Sequence, residues 1–407
     1  MFTFLTKIKH TRFSQLRRAI PLAAVFLIIE FYDELSYAIG NAALPSIRTD
    51  LALSYAQVGL LLGLPHLINT LVEPILMLLG DTRLRKALVI GGGVATAIAA
   101  LLVARAGSFG VLLAAFILSH PASGAFVTLS QATLIDLNPG REPHWMARWT
   151  LAGSLGNLIG PALLAGGLAL AFGWRWIFYL LAGLALGLTL LAALQTLPRR
   201  EATAQANSPE ERESLRSFLQ ELRAAARNRE LLRYTGLQIT ADLMMDIYLE
   251  YLPLYYVDVV GLTSAQTGLV ISAYIFVALI SDIILIPLLE RVPGRKVVRA
   301  SATVAIILYI AWLLVPWTAA KIALLLCVSL AKIGWYPVLA GEAYAAAPGR
   351  SGMVKAIDSV GGLPAGGLRW LVGWVASRAG LPVAMWLLLL GPVSLILCVP
   401  KALKDGK

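Results

Sequence analysis

The chain has 407 residues, of which 58% are hydrophobic and only 14% charged, and its mean hydropathy is +0.75. A soluble protein carries about 25% charged residues, so a soluble domain is excluded. The net charge of +11 would suit a nucleic-acid partner, but the placement of the basic residues argues against one.

In chain order, twelve apolar runs read as helices able to cross roughly 30 Å of hydrocarbon. They lie at about 19–44, 56–79, 86–105, 109–135, 146–171 and 174–196, then 232–257, 264–289, 297–316, 319–345, 353–376 and 381–400. With the N-terminus inside, 27 of the 34 Lys and Arg fall in the inner segments. Outside are only Arg48, Arg105, Arg175, Lys321 and Arg378, while Lys332 and Arg369 fall within spans. This is the positive-inside pattern, and it predicts a multi-pass protein of the cell membrane with both termini cytoplasmic. No nucleic-acid role is expected. No cleavable signal is visible, because the first span is too long for a signal core. Cys327 and Cys398 sit in spans and read as core filler rather than a disulfide or metal site.

A polar stretch at about 197–231 divides the runs into six and six. The expected organisation is a bundle at 1–197, a linker at 198–231 and a bundle at 232–407. Within the linker, Ser208-Pro209-Glu210-Glu211 reads as a helix start. Leu215, Phe218, Leu219 and Leu222 follow at helical spacing, which predicts a short amphipathic helix on the inner membrane surface. Gly91-Gly92-Gly93, Gly166-Gly167 and Gly361-Gly362 are expected where helices approach closely.

The two halves repeat. Asp33 maps onto Asp242 at an offset of 209 residues, Glu73 onto Asp282, and Ala56–Leu60 onto Ala265–Leu269. A carboxylate at bilayer depth costs roughly 2.5–3.5 kcal/mol, so each is a functional candidate. Glu30, Asp33 and Glu34 cluster on one side of the first span, and Tyr37 and Asn41 extend the Asp33 stripe. Asp242, Asp246 and Glu250 lie four apart and are expected on one face of the seventh span. The mid-span bases, Lys332 and Arg369, are too few to neutralise these acids. A proton and a cation competing for one carboxylate would then couple their movements, the alternative being structural pairing. Glu73 and Asp282 read as lower cavity walls or parts of an inner gate. Glu342 and Asp358 read as gate charges paired with Lys355. Lys332 would bind an anionic group or neutralise a span-seven acid. Tyr37, Tyr248, Tyr251, Tyr255, Trp335 and Tyr336 would offer aromatic faces to an organic cation.

Several local motifs resemble the major facilitator superfamily. Gly80-Asp81-Thr82-Arg83-Leu84-Arg85-Lys86 is similar to its cytoplasmic loop signature, matching at Asp81, Arg85 and Lys86. The copy Glu290-Arg291-Val292-Pro293-Gly294-Arg295-Lys296 keeps the charges. Gly156-Asn157-Leu158-Ile159-Gly160-Pro161 is similar to the core of an antiporter motif in the fifth span. Gly173–Phe178 and Ala43-Leu44-Pro45 also resemble the drug/proton antiporter branch. The resemblance implies an all-α membrane fold: twelve transmembrane helices in two pseudo-symmetric six-helix bundles around a central cavity, lined by spans one and seven. It implies gating by Asp81, Arg85, Lys86, Glu290, Arg295 and Lys296, and helix packing by Gly156, Gly160 and Pro161. His120 occupies the place where many proton-coupled members carry an arginine, which suggests a proton relay to Glu30 or Asp33; His66 reads similarly.

No phosphate-binding loop is present, so an ion gradient or the substrate's own gradient must drive transport. The leading expectation is a monomeric, proton-coupled antiporter exporting cationic or amphiphilic small molecules by alternating access. It would be no enzyme and would need no cofactor or metal. The alternatives are a carrier of an inorganic cation or polyamine, an uptake carrier, and a membrane scaffold that has lost transport.

Overall fold

A computed structural model of the chain describes residues 22–80, 82–138, 141–195, 223, 227–347 and 351–400. Twelve helical segments run through these residues, with no strand among them. They are α1 (Leu22–Asp50), α2 (Tyr55–Gly80), α3 (Arg85–Arg105), α4 (Phe109–Asp136), α5 (Glu142–Ala169) and α6 (Trp174–Leu194). The second set begins with α7, made of Arg229–Ala241, a 3₁₀ turn at Asp242–Met244, and Asp246–Asp258. It continues with α8 (Ser264–Arg291), α9 (Gly294–Leu314), α10 (Thr318–Ala331 and Trp335–Ala345), α11 (Ser351–Ala379) and α12 (Leu381–Cys398). The amphipathic helix expected at 208–222 and Asp81 lie outside the described residues.

Nine of the helices are long and apolar enough to cross a membrane. The three that fall short are α1, α7 and α11, which carry the mid-span Glu30, Asp33 and Glu34, the Asp242, Asp246 and Glu250 set, and Arg369.

The sequence repeat has a local physical meaning. At the start of α8, Thr263 and Gln266 form a reciprocal capping box. At the start of α2, Ser54 and Gln57 make the same pair: the Gln57 amide oxygen accepts from Ser54 N–H at 2.9 Å, and Ser54 Oγ accepts from Gln57 N–H at 3.2 Å. Each copy thereby satisfies backbone donors that the helix itself leaves free.

The described residues fall into two compact units. One takes the chain up to Gly40, Leu71–Leu163, and Gly167 through α6; the other takes Asn41–Thr70, Leu164–Gly166 and everything from α7 onwards. In the first unit, α1 and α5 pack at Gly156 and Gly160. A Cβ on Gly156 would come 2.3 Å from the Phe31 carbonyl oxygen, and one on Gly160 2.8 Å from that of Leu35. Gly92 lies against the α4 backbone and Gly93 under Thr189 of α6. After Pro121, α4 opens into a π turn at Gly124–Thr128 before resuming. Gly91 and Gly166, expected at close approaches, face open space, because each points away from the neighbouring helices that its adjacent glycines meet.

In the second unit, the outer part of α1 and the first half of α2 pack on α7, α8 and α11. Gly59 and Gly63 meet Gly373 and Gly366 of α11 almost backbone to backbone. Arg48 pairs with Asp258 at 2.9 Å, stacks over Tyr55, and Tyr55 donates to the same carboxylate at 2.8 Å. These small-residue contacts draw 41–70 to the second unit. Cys327 and Cys398 are exposed on their helices rather than packed in the core.

Gly156→Leu should lower the thermal midpoint of the detergent-purified protein, at a cost of about 1–3 kcal/mol or more from overpacking against fixed backbone. Gly166→Leu should leave the midpoint unchanged, as measured by a fluorescence melt of both variants.

Candidate functional site

Two groups of ionisable residues lie at mid-span, one in each unit. In the first unit, Glu30, Asp33 and Glu34 project from α1 towards α4 and α5. Asp33 accepts a hydrogen bond from the Ser123 hydroxyl at 2.9 Å. Glu30 is buried and accepts from the Trp149 indole. Glu34 accepts from the Asn157 amide at 3.3 Å. Trp149, Gly153 and Asn157 are spaced by four and form one stripe on α5, opposite Glu30 and Glu34, which are also spaced by four on α1. Gly153 is the gap in that stripe: a Cβ there would sit 2.6 Å from a Glu30 oxygen. The donors named here are all neutral, and neither Glu30 nor Asp33 is in an ion pair among the described residues.

His120 lies against its own helix. Its Nδ1 lies 3.0 Å from the Phe116 carbonyl and 3.3 Å from the Ser119 hydroxyl, both on its own helix. The α4 residue that meets Asp33 is Ser123, one turn further on. Tyr37 is 38% exposed, whereas Asn41, four residues on, is buried. Glu73 lies in the first unit, its Cγ beside the α4 π turn at Gly124.

In the second unit, the expected single stripe of Asp242, Asp246 and Glu250 is broken. Met245 has φ −96° and ψ −89°, so the helix is interrupted between the first and second acid and four-residue spacing no longer fixes their relation. The organising residue is Arg369 of α11. Its Nε donates to Glu250 and its Nη1 to Asp242, both at 3.0 Å. Its own carbonyl accepts from the Tyr251 hydroxyl at 2.8 Å. His66 of α2 approaches Glu250 at 4.0 Å. One guanidinium therefore neutralises two acids, and Lys332, expected either to bind an anionic group or to neutralise a span-seven acid, donates to the Met244 carbonyl at 2.7 Å and to the Tyr274 hydroxyl.

Most of the aromatic candidates are buried. Trp335 is fully buried and its indole N–H is taken by Ser301 at 2.8 Å. Tyr248, Tyr251 and Tyr255 are buried, while Tyr336 is 60% exposed. Lys321, counted among the outside basic residues, is buried and donates to the Trp312 carbonyl at 2.6 Å and to Tyr255 at 3.1 Å. It caps the C-terminal end of α9, where carbonyls lack partners.

The expected gate residues occupy helix ends. Arg85 donates to the Gly80 carbonyl at 2.7 Å and pairs with Asp136 of α4 at 2.5 Å. Its counterpart Arg295 binds Glu342 of α10 through two bonds of 2.7 and 2.6 Å, while the side chains of Lys355 and Asp358 lie outside the described residues. Lys86 donates to the Gln195 carbonyl at the end of α6. Glu290, Lys296 and Asp282 are exposed. Ser123, Trp149, Gly153 and Asn157 escaped the sequence reading, although the i, i+4 spacing on α5 was visible once α1 was known to face it.

Arg369→Gln should destabilise the protein by about 3–5 kcal/mol, because it strands Glu250 as a buried charge. Combining it with Glu250→Gln should recover most of the loss. Melting temperatures of the three variants in detergent check this, and a double variant no better than the single one contradicts it.

The family model described as Major Facilitator Superfamily matches residues 26–368. No curated protein sequence matches the chain. Among solved structures, a bacterial homolog of the human lysosomal transporter Spinster is similar at a TM-score of 0.72 and 15% identity, with 93% of each chain covered. The nucleoside transporter NupG is similar at 0.71 and 12%, covering 93% of this chain and 98% of the other. The human organic anion transporter MFSD10 is similar at 0.60 and 18%, covering 92% and 98%. At these identities the structures speak for the fold, and the family match spans most of the sequence. The chain belongs to the Major Facilitator Superfamily, a family of multi-span membrane transporters.

Proposed function

We propose that the protein is a proton-coupled antiporter that exports cationic or amphiphilic small molecules by alternating access. The observation that carries this reading is the chemistry around Glu30 and Asp33. Each accepts from a neutral donor, Trp149 or Ser123. A carboxylate held in this way can take up or lose a proton without breaking an ion pair. A proton and a cationic substrate can then occupy it in turn, which is the elementary step of exchange.

Asp242 and Glu250 have the opposite chemistry. Arg369 holds both, and protonating either would leave part of the guanidinium without its counter-charge. On this reading they keep α7 and α11 together, and coupling belongs to α1. The bundles 1–197 and 232–407 act as the moving bodies and 198–231 as their tether, with both termini cytoplasmic as the basic residues favour. Arg85–Asp136 and Arg295–Glu342 are then gate pairs that brace the inner ends of α3 with α4 and of α9 with α10. The chain works as a monomer.

Proteoliposomes under an imposed pH gradient test the proposal, with proton movement followed as organic cations are added. Wild-type protein should move protons in response to some of them. Asp33→Asn should abolish that movement while leaving the thermal midpoint within a few degrees of wild type. Normal coupled flux in Asp33→Asn would sink the assignment.

A further inference from the structure

Lys332 stands where two interrupted helices meet. α10 stops at Ala331 and restarts at Trp335 through Gly334, whose φ of 76° favours glycine. α7 is interrupted at Asp242–Met244, and the Met244 carbonyl freed there is the one Lys332 binds. The ammonium also donates to the Tyr274 hydroxyl and lies 5.0 Å from the Tyr274 ring centre and 5.7 Å from that of Tyr248. Asp242 and Asp246 of α7 and Asp282 of α8 act on its charge. None of them comes within ion-pair distance of it among the described residues, and Asp242 is already held by Arg369 of α11. Beside it, the Tyr248 hydroxyl is completely buried and makes no hydrogen bond among the described residues.

A carbonyl, a hydroxyl, two aromatic faces and a ring of carboxylates at a distance are what an alkylammonium ion seeks from a protein. We infer that the Lys332 ammonium is the resident occupant of a cation subsite, and that a primary ammonium group of the substrate replaces it as Lys332 gives up a proton. The inference rests on the proton–cation exchange proposed above and adds a second exchanging group to it. The step balances. One N–H bond of Lys332 breaks, its electron pair stays on Nζ, the proton passes to water, and the incoming R–NH₃⁺ restores the single positive charge. The neutral amine is not stranded, because the Tyr274 hydroxyl can turn to donate to it, and the Tyr248 hydroxyl is available to the newcomer. Lys321 makes the contrast clear. It is also buried against aromatic rings, but it is bound to the end of α9, and burial alone acts on its charge with no acid nearby.

The test is binding of hexylammonium to the purified full-length protein in detergent. Calorimetry in two buffers of different ionisation enthalpy counts the protons released. Wild type should release one proton per hexylammonium, and between about pH 6 and about pH 9 its affinity should rise by up to about tenfold per pH unit. Lys332→Met should bind with neither proton release nor pH slope. Lys332→Arg should not bind, since a guanidinium cannot surrender its charge. Wild-type affinity in Lys332→Arg, release that persists in Lys332→Met, or a wild type that does not bind hexylammonium would each overturn the subsite. Release lost in Asp33→Asn but kept in Lys332→Met would leave proton exchange standing and remove Lys332 from it.

Discussion

Hydrocarbon offers no hydrogen-bond partners, so every polar group that enters it must bring its own. Much of this molecule follows from that requirement. The capping boxes at Ser54 and Thr263 close helix starts. Hydroxyls of Thr96, Ser130 and Thr133 fold back onto carbonyls of their own helices. Lys321 and Arg175 occupy carbonyls at the C-terminal ends of α9 and α3. Where α7 loses its helical ladder, Lys332 takes a carbonyl the interruption leaves open. Many of the mid-span charged groups lie on α1, α7 and α11, the three helices that fall short as apolar spans among the described residues, while Glu73, Asp282, Lys321 and Lys332 lie on others.

The duplicated halves meet the same requirement by different means. α1 is continuous and gives Glu30, Asp33 and Glu34 neutral donors from α4 and α5. α7 is interrupted and gives Asp242 and Glu250 a shared guanidinium. Acids at matching sequence positions of the two halves thus have different partners, neutral donors on α1 and a shared guanidinium on α7. Asymmetry of this kind suits a carrier, since a transport cycle needs one element that binds reversibly and another that stays fixed.

What the sequence made legible was whatever depends on local pattern: the twelve spans, the repeat, and acids at matching depths. The less legible features depend on distant partners or on local backbone geometry without a marker. No glycine or proline announces the break at Asp242-Leu243-Met244-Met245, so a four-residue stripe was the natural reading, and the backbone at Met245 undoes it. Arg369 was visible as a mid-span base, but its bond to two acids more than a hundred residues away was not. That His120 Nδ1 lies beside the Phe116 carbonyl, and that Ser123 is the α4 residue bonded to Asp33, was likewise not legible. Gly59 and Gly63 look like any membrane glycines until Gly366 and Gly373 are placed against them.

The π turn in α4 shows how much a small irregularity can arrange. A π turn accommodates one extra residue, and in a helix each residue turns the chain by about 100°. The segments before and after Gly124–Thr128 are therefore out of phase with a regular helix. Ser123, at the upstream edge, addresses Asp33 of α1, while the turn itself lies beside Glu73 of α2. One helix can in this way attend to acids on two others without sharply bending. Loss of a single residue within the turn would change no functional group, but it would rotate one segment against the other and remove α4 from one of its two duties, a change of phase rather than of chemistry.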